Sequence, residues 1–71
     1  MKHKKMGNVI KNIRLHHHAT IRQFAYRLGI HSSTLHRYES GSKAPSRRVL
    51  EKVQRIAGVD SIQELVRVAL N

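Results

Sequence analysis

The chain has 71 residues, one proline and no cysteine, so it forms one small domain without disulfide bonds or a cysteine metal site. Its net charge of +10 lies in residues 1–50, where eleven Lys and Arg face a single acid, Glu39; residues 51–71 carry three charges of each sign. A basic body of this kind predicts a polyanionic partner, with nucleic acid as the first candidate and an anionic membrane surface as the second.

Residues 1–5 form a short basic arm, either a solubilising terminus or a flexible segment that reaches DNA phosphates or a minor groove. The domain itself is predicted over residues 6–71. Apolar residues at positions 6, 9, 10 and 13 predict an amphipathic helix from Met6 to about Leu15. Residues 16–18 are all histidine. Three consecutive side chains cannot share one helix face, so we interpret them as solvated imidazoles rather than a metal site.

Two short helices joined by a sharp turn are predicted next. Thr20 is the expected N-cap of the first, with Gln23 in position to complete a capping box. Apolar residues at positions 21, 24, 25 and 28 form its buried stripe. Gly29 can adopt the left-handed conformation that ends a helix.

The helix after this turn, through residue 40, carries the polar face most relevant to function. Leu35 and Tyr38 point inward because they are three residues apart. The opposite side exposes small hydrogen-bonding groups, an imidazole and one long cation, namely Ser32, Ser33, His36 and Arg37. Such side chains suit the base edges of a DNA major groove, and an outward arginine suits guanine O6 and N7. The N-cap is either His31 or Ser32.

A fourth helix follows a short loop in which Lys43 is placed to meet a phosphate. Ser46 is its expected N-cap, and its apolar stripe continues to about residue 57. Arg47 and Arg48 lie in its first turn, where they oppose the helix dipole unless a phosphate lies nearby.

Ser61 and Glu64 predict a capping box at the start of a fifth helix. Its apolar face, at positions 62, 65, 66, 69 and 70, either completes the core or packs against a second copy of the chain. We expect a homodimer through this C-terminal helix, since small basic DNA-binding domains often act as symmetric dimers.

The order of these features resembles the lambda-repressor/Cro class of helix-turn-helix domains, also called Xre-type, over about residues 7–59. The matching motifs are Ile10-x-x-Ile13-Arg14, Phe24-Ala25-x-x-Leu28-Gly29-Ile30, Ser33-Thr34-Leu35, Arg37-Tyr38-Glu39-x-Gly41 and Pro45-Ser46. The resemblance implies an all-α, compact five-helix domain whose third helix is the recognition helix. No cofactor, metal or catalytic residue is expected.

The resemblance also implies roles for single residues. Base contacts fall to Ser32, Ser33 and Arg37, and His36 on the same face can reach a base or a phosphate. The first residue of the second helix is often a glutamine that contacts phosphate; here it is Ile21, which cannot. The expected phosphate contacts are Thr20, Arg22, His31, Thr34, Lys43 and Arg47.

An ion pair between Arg14 and Glu39 is implied as well, and it would tie the first helix to the end of the recognition helix. The predicted function is a sequence-specific, double-stranded DNA-binding transcriptional regulator, a repressor. The alternative is a protein-interaction module, antitoxin-like or an adaptor, that uses the apolar C-terminal helix.

An enzyme is not expected, because the four acids are scattered and no Ser/His/Asp spacing suggests a triad. A membrane-surface partner ranks third, because it would need a helix with a basic face opposite a wide unburied apolar face, and the apolar stripes here are claimed by a mutual core. No run approaches the roughly 20 apolar residues of a membrane span. The basic start also lacks the unbroken apolar segment of a signal peptide. We therefore expect a cytoplasmic protein that is nucleoid-associated when bound to DNA.

Overall fold

The computed structural model describes residues 2–71, and over this range it contains five α-helices and no β-strand. In chain order the helices are α1 (Lys4–His16), α2 (Ile21–Leu28), α3 (Ser32–Ser40), α4 (Arg47–Ala57) and α5 (Ile62–Leu70). The predicted all-α, five-helix fold is confirmed. Because α1 begins at Lys4, the second half of the expected basic arm lies in its first turn; Met1 lies outside the described residues.

One apolar core joins all five helices. α1 packs against α3 on one side and against α5 on the other. The buried apolar side chains are those expected from helical periodicity in α1 to α4: Val9, Ile10, Ile13, Phe24, Ala25, Leu28, Leu35, Tyr38, Val49 and Val53. In α5 only Leu65 is fully buried, and Leu70, expected on the inward face, is 42% exposed.

Local hydrogen bonds fix both ends of α2, and so determine where the turn to α3 begins. The Thr20 hydroxyl accepts from the Gln23 N–H at 3.1 Å, and the Gln23 side chain accepts from the Thr20 N–H at 2.9 Å, which is the predicted capping box. Gly29 ends α2 with a left-handed φ of +72°. Lys52 of α4 donates a hydrogen bond from Nζ to the Leu28 carbonyl at 3.0 Å. A cation at this end of a helix stabilises the dipole, so α4 supports the turn.

α1 approaches the end of α3 more closely than a side chain would allow. A Cβ added at Gly7 would lie 2.4 Å from the Tyr38 carbonyl oxygen and 2.8 Å from that of Glu39. Further along α1, Arg14 donates from Nε and Nη2 to the two Glu39 carboxylate oxygens at 2.8 and 3.0 Å, and from Nη1 to the Ala19 carbonyl at 3.0 Å. The expected ion pair therefore forms, and both of its members are buried.

The beginning of the chain is also attached to the end of α3. The backbone N–H of His3 donates to the Gly41 carbonyl at 3.2 Å. Gly41 is the C-cap of α3 and begins the loop that leads to α4. His3 therefore lies beside the last turn of α3.

The start of α5 differs from the expectation in one detail. The Ser61 hydroxyl accepts from the Glu64 N–H at 3.0 Å, but the Glu64 carboxylate accepts hydrogen bonds from Arg67, one turn further along. Hydrogen bonds between charged partners are stronger than those to a neutral amide, so Glu64 pairs with Arg67 and does not cap the Ser61 N–H. Of the two hydrogen bonds of a capping box, only the one accepted by the serine hydroxyl forms. The Arg67 hydrogen bond holds the pKa of the Glu64 carboxyl below its ordinary value.

Candidate nucleic-acid interface

The outer side of α3 is a polar face on a rigidly held helix. Leu35 and Tyr38 are 0% and 5% exposed and fix the rotation of the helix. The four side chains expected to read DNA, Ser32, Ser33, His36 and Arg37, are all exposed. The N-cap is His31, so both serines lie inside the helix. Their hydroxyls therefore point to solvent with donor and acceptor capacity for a ligand.

Three cations follow the end of α3 along the chain, one in the loop and two at the start of α4. Lys43, in the loop after α3, places its Nζ 5.9 Å from the centroid of the Tyr38 ring, a distance at which a cation is attracted to the ring face. Arg47 and Arg48 follow in the first turn of α4. Arg47 Nε lies 3.4 Å from a Glu51 carboxylate oxygen in an exposed pair. Such pairs contribute at most about 1 kcal/mol, so a phosphate can compete for this arginine.

The start of α2 borders the same face on another side. The Thr20 hydroxyl accepts from the Gln23 N–H, yet its own proton can still be donated to a phosphate oxygen. Arg22 is exposed in the first turn, and His31 is exposed at the start of α3. Thr34 is half-buried, which makes it the least accessible of the expected phosphate contacts.

The distribution of charge around α3 is one-sided. Glu39 is the only acid among residues 1–50, and it is 9% exposed and bonded to Arg14. Within residues 2–71, ion pairs involve only three of the cations: Arg14, Arg47 and Arg67. The exposed charges on α1, α2, α3 and the following loop are consequently all positive at neutral pH.

A shallow recess of about 290 Å³ lies between α1, the start of α2 and α3. The buried ion pair forms its floor, and Lys11, His36 and Ser40, all exposed, stand at its rim. The sequence pattern did not single out Lys11 as a site residue. Helical spacing could have predicted its position. Lys11 lies four residues after Gly7 and three before Arg14, and both of these face α3, so Lys11 lies on the same side of α1.

The histidine run ends α1 and lies beside α2 and α5. His16 is the last residue of α1, His17 is the C-cap, and His18 has a positive φ of 55°. The rings of His16 and His17 pack edge to face, 5.8 Å apart. Within residues 2–71, no group of three His, Cys, Asp or Glu side chains is placed to hold a metal ion.

The chain matches the model of a known protein family. Residues 5–68 match the family described as a helix-turn-helix domain. The matched range contains α2 to α4 and most of α1 and α5, and so includes the outer side of α3 and its surroundings. No curated protein and no solved structure gives a significant match. Among the helices of residues 2–71, none combines the length and apolar composition needed to cross a membrane.

Proposed function

The chain belongs to the helix-turn-helix domain family, and we infer that it is a sequence-specific transcriptional regulator of the lambda-repressor/Cro type that binds double-stranded DNA. The observation that carries this inference is the concealment of Glu39. Because the only acid of residues 1–50 is buried against Arg14, the exposed charges on the outer side of α3 and on α1 and α2 beside it are all positive. Positive charges attract a polyanion such as DNA, and the exposed hydrogen-bonding side chains that they surround can contact its bases.

In the proposed complex, α3 lies in the major groove. Arg37 has the reach and the paired donors to bond guanine O6 and N7 together, a contact that discriminates against a wrong base by about 1–3 kcal/mol. Ser32 and Ser33 are short, so they contact bases only where the start of α3 enters the groove. His36 reaches a base or a phosphate.

Phosphate contacts on both sides of α3 supply most of the affinity. Lys43 and Arg47 lie beyond the end of α3, and Thr20 and Arg22 lie at the start of α2. Each phosphate that a cation neutralises releases about one counterion, with a slope of roughly −0.9 in log affinity against log salt. Binding should therefore weaken steeply as salt increases, and a flat response would contradict the proposal.

We also propose a homodimer through α5. Val68 and Leu70 are 44% and 42% exposed on this helix, so its apolar surface is not used up by the core. A two-fold dimer places two α3 helices about one turn of DNA apart, roughly 34 Å, on an inverted repeat. Repression then requires only that the dimer occupy a promoter.

Selection of bound duplexes from a random library tests both parts of the proposal. An inverted repeat among the selected sequences supports a dimeric, sequence-specific protein. On the selected site, Arg37→Ala should cost about 1–3 kcal/mol and relax the preference at one base pair, whereas Lys43→Ala should weaken all sequences equally. An equal loss on selected and scrambled DNA for Arg37→Ala would reduce Arg37 to a phosphate contact.

The dimer has its own test in sedimentation equilibrium. Leu70→Lys should shift the protein toward monomer. Tyr26→Ser is the matched control, since Tyr26 is 87% exposed but lies on α2. If the wild-type chain is a monomer that binds no duplex at low salt, the rival function as a protein-interaction module replaces the DNA-binding proposal.

A further inference from the structure

We propose that the recess between α1, α2 and α3 binds one phosphate of the DNA backbone, and that Lys11 is the cation that holds it. This inference rests on the proposed DNA-binding function and extends it, because it assigns a DNA contact to α1. It also assigns His36 to a phosphate instead of a base. The resulting interface has four helices, α1 to α4, contacting DNA instead of three.

The position of the recess is the first argument. His36 and Ser40 are one helical turn apart on α3, and both stand at the rim. His36 shares the outer side of α3 with Arg37, so a DNA strand that borders the groove passes directly over the recess. Lys11 reaches the same rim from α1, and Ile21 brings the positive end of the α2 dipole to it.

The charge of the recess is the second argument. Its floor contains the Glu39 carboxylate, which would repel an anion if it stood alone. Arg14 neutralises that carboxylate with two hydrogen bonds of 2.8 and 3.0 Å, so the pair contributes no net charge. Lys11 then gives the recess one positive charge, which matches the single negative charge of a phosphodiester.

The chemistry of the rim is the third argument. A phosphodiester oxygen accepts several hydrogen bonds at once, and the rim offers the Lys11 ammonium from α1 and the His36 imidazole from α3. The Ser40 hydroxyl already donates to the Arg37 carbonyl at 3.1 Å and lines the rim without a free proton. A volume of about 290 Å³ accommodates a phosphate group without any change in the backbone. These features distinguish Lys11 from an ordinary solvated lysine. Such a lysine would have no need of a neutralised carboxylate below it or of a hydrogen-bond donor from α3 beside it.

The test compares Lys11→Gln with Arg55→Gln. Each variant removes one exposed positive charge, but Arg55 lies in the last turn of α4, at the opposite end of that helix from Arg47 and Arg48. Binding to a selected duplex and to a scrambled duplex is measured by fluorescence anisotropy at several salt concentrations. Thermal unfolding of both variants establishes that they remain folded.

For Lys11→Gln we expect a salt slope that is smaller by about 0.9 and an affinity about eightfold lower at 0.1 M salt, which is the contribution of one released counterion. The loss should be the same on both duplexes, because a phosphate carries no base information. Arg55→Gln should leave the slope unchanged. If the two variants behave alike, or if the Lys11→Gln loss appears only on the selected duplex, the inference is wrong.

A second measurement identifies the phosphate. Neutral methylphosphonates are placed one at a time along the selected duplex. One position should weaken wild-type binding and have no further effect on Lys11→Gln, since the same contact cannot be lost twice. Additive losses at every position would overturn the inference while leaving the proposed function intact. A wild-type chain that binds neither duplex would overturn the proposed function, and the inference with it.

Discussion

Substitution of Gly7 by alanine tests the close approach of α1 to α3. The new methyl group would lie 2.4 Å from the Tyr38 carbonyl oxygen, and real Cβ contacts are essentially never shorter than 3.0 Å. The helix must therefore move by at least about 0.6 Å along this line. The two obstructing atoms, the carbonyl oxygens of Tyr38 and Glu39, belong to the backbone, so no side-chain rotation can relieve the clash.

Two opposing terms set the size of the effect. Overpacking of this kind costs about 1–3 kcal/mol, and the rigid neighbours place Gly7→Ala toward the upper end. Replacing glycine by alanine inside a helix stabilises the folded state by about 1 kcal/mol, because alanine has the higher helix propensity. The net loss should be about 1–2 kcal/mol. For a domain of this size, that lowers the melting temperature by roughly 5–15 °C.

Thermal unfolding followed by circular dichroism measures the effect, with Asn8→Ala as the control. Asn8 is the next residue of α1 and is exposed, so its substitution changes helix propensity without a clash. We expect Asn8→Ala to melt at or slightly above the wild-type temperature. If Gly7→Ala is also as stable as wild type, α1 and α3 are not held at the distance described, and the reasoning fails.

Substitutions at three further positions test the contacts that hold α2 and α3 in place, each by the free energy of unfolding in urea. Glu39→Gln leaves the buried Arg14 without a counter-charge and should cost about 3–5 kcal/mol; a cost below 1 kcal/mol would mean that the pair is solvated. Thr20→Ala removes the N-cap of α2 and should cost about 1 kcal/mol, whereas Thr20→Ser should retain most of the stability. Lys52→Met keeps the apolar stem but removes the hydrogen bond to the end of α2, for a loss of about 1 kcal/mol; an unchanged value would show that α4 does not support the turn.

The sequence was most informative where structure depends on neighbours along the chain. The helix periodicity predicted the buried positions of α1 to α4, and the capping box at Thr20 formed as expected, because both depend on residues three or four apart. The Arg14–Glu39 pair joins residues 25 positions apart. It was expected because the chain resembles a family, not because of local spacing.

The remaining features depend on how the helices pack, which local patterns do not describe. The Glu64 carboxylate could accept from the Ser61 N–H or from Arg67, and it accepts from the charged Arg67. The exposure of Leu70 depends on the angle at which α5 meets α1. The recess beside Lys11 exists only because three helices meet there. The exposed face of α3 and the family resemblance together supplied the expected base-reading and phosphate-contacting residues, and among them the substitutions of Arg37 and Lys43 test one contact of each kind.

The hydrogen bond from His3 to Gly41 has a practical consequence for handling the protein. His3 is held beside Gly41, at the start of the loop that carries Lys43, so a group fused close to His3 would lie near the proposed DNA path. An acidic fusion partner there would mimic a nucleic acid and mask the surface, and a polyhistidine tag would add its own attraction for phosphate. Binding measurements should therefore use protein from which any N-terminal tag has been removed. Fluorophores should not be attached to the amino terminus.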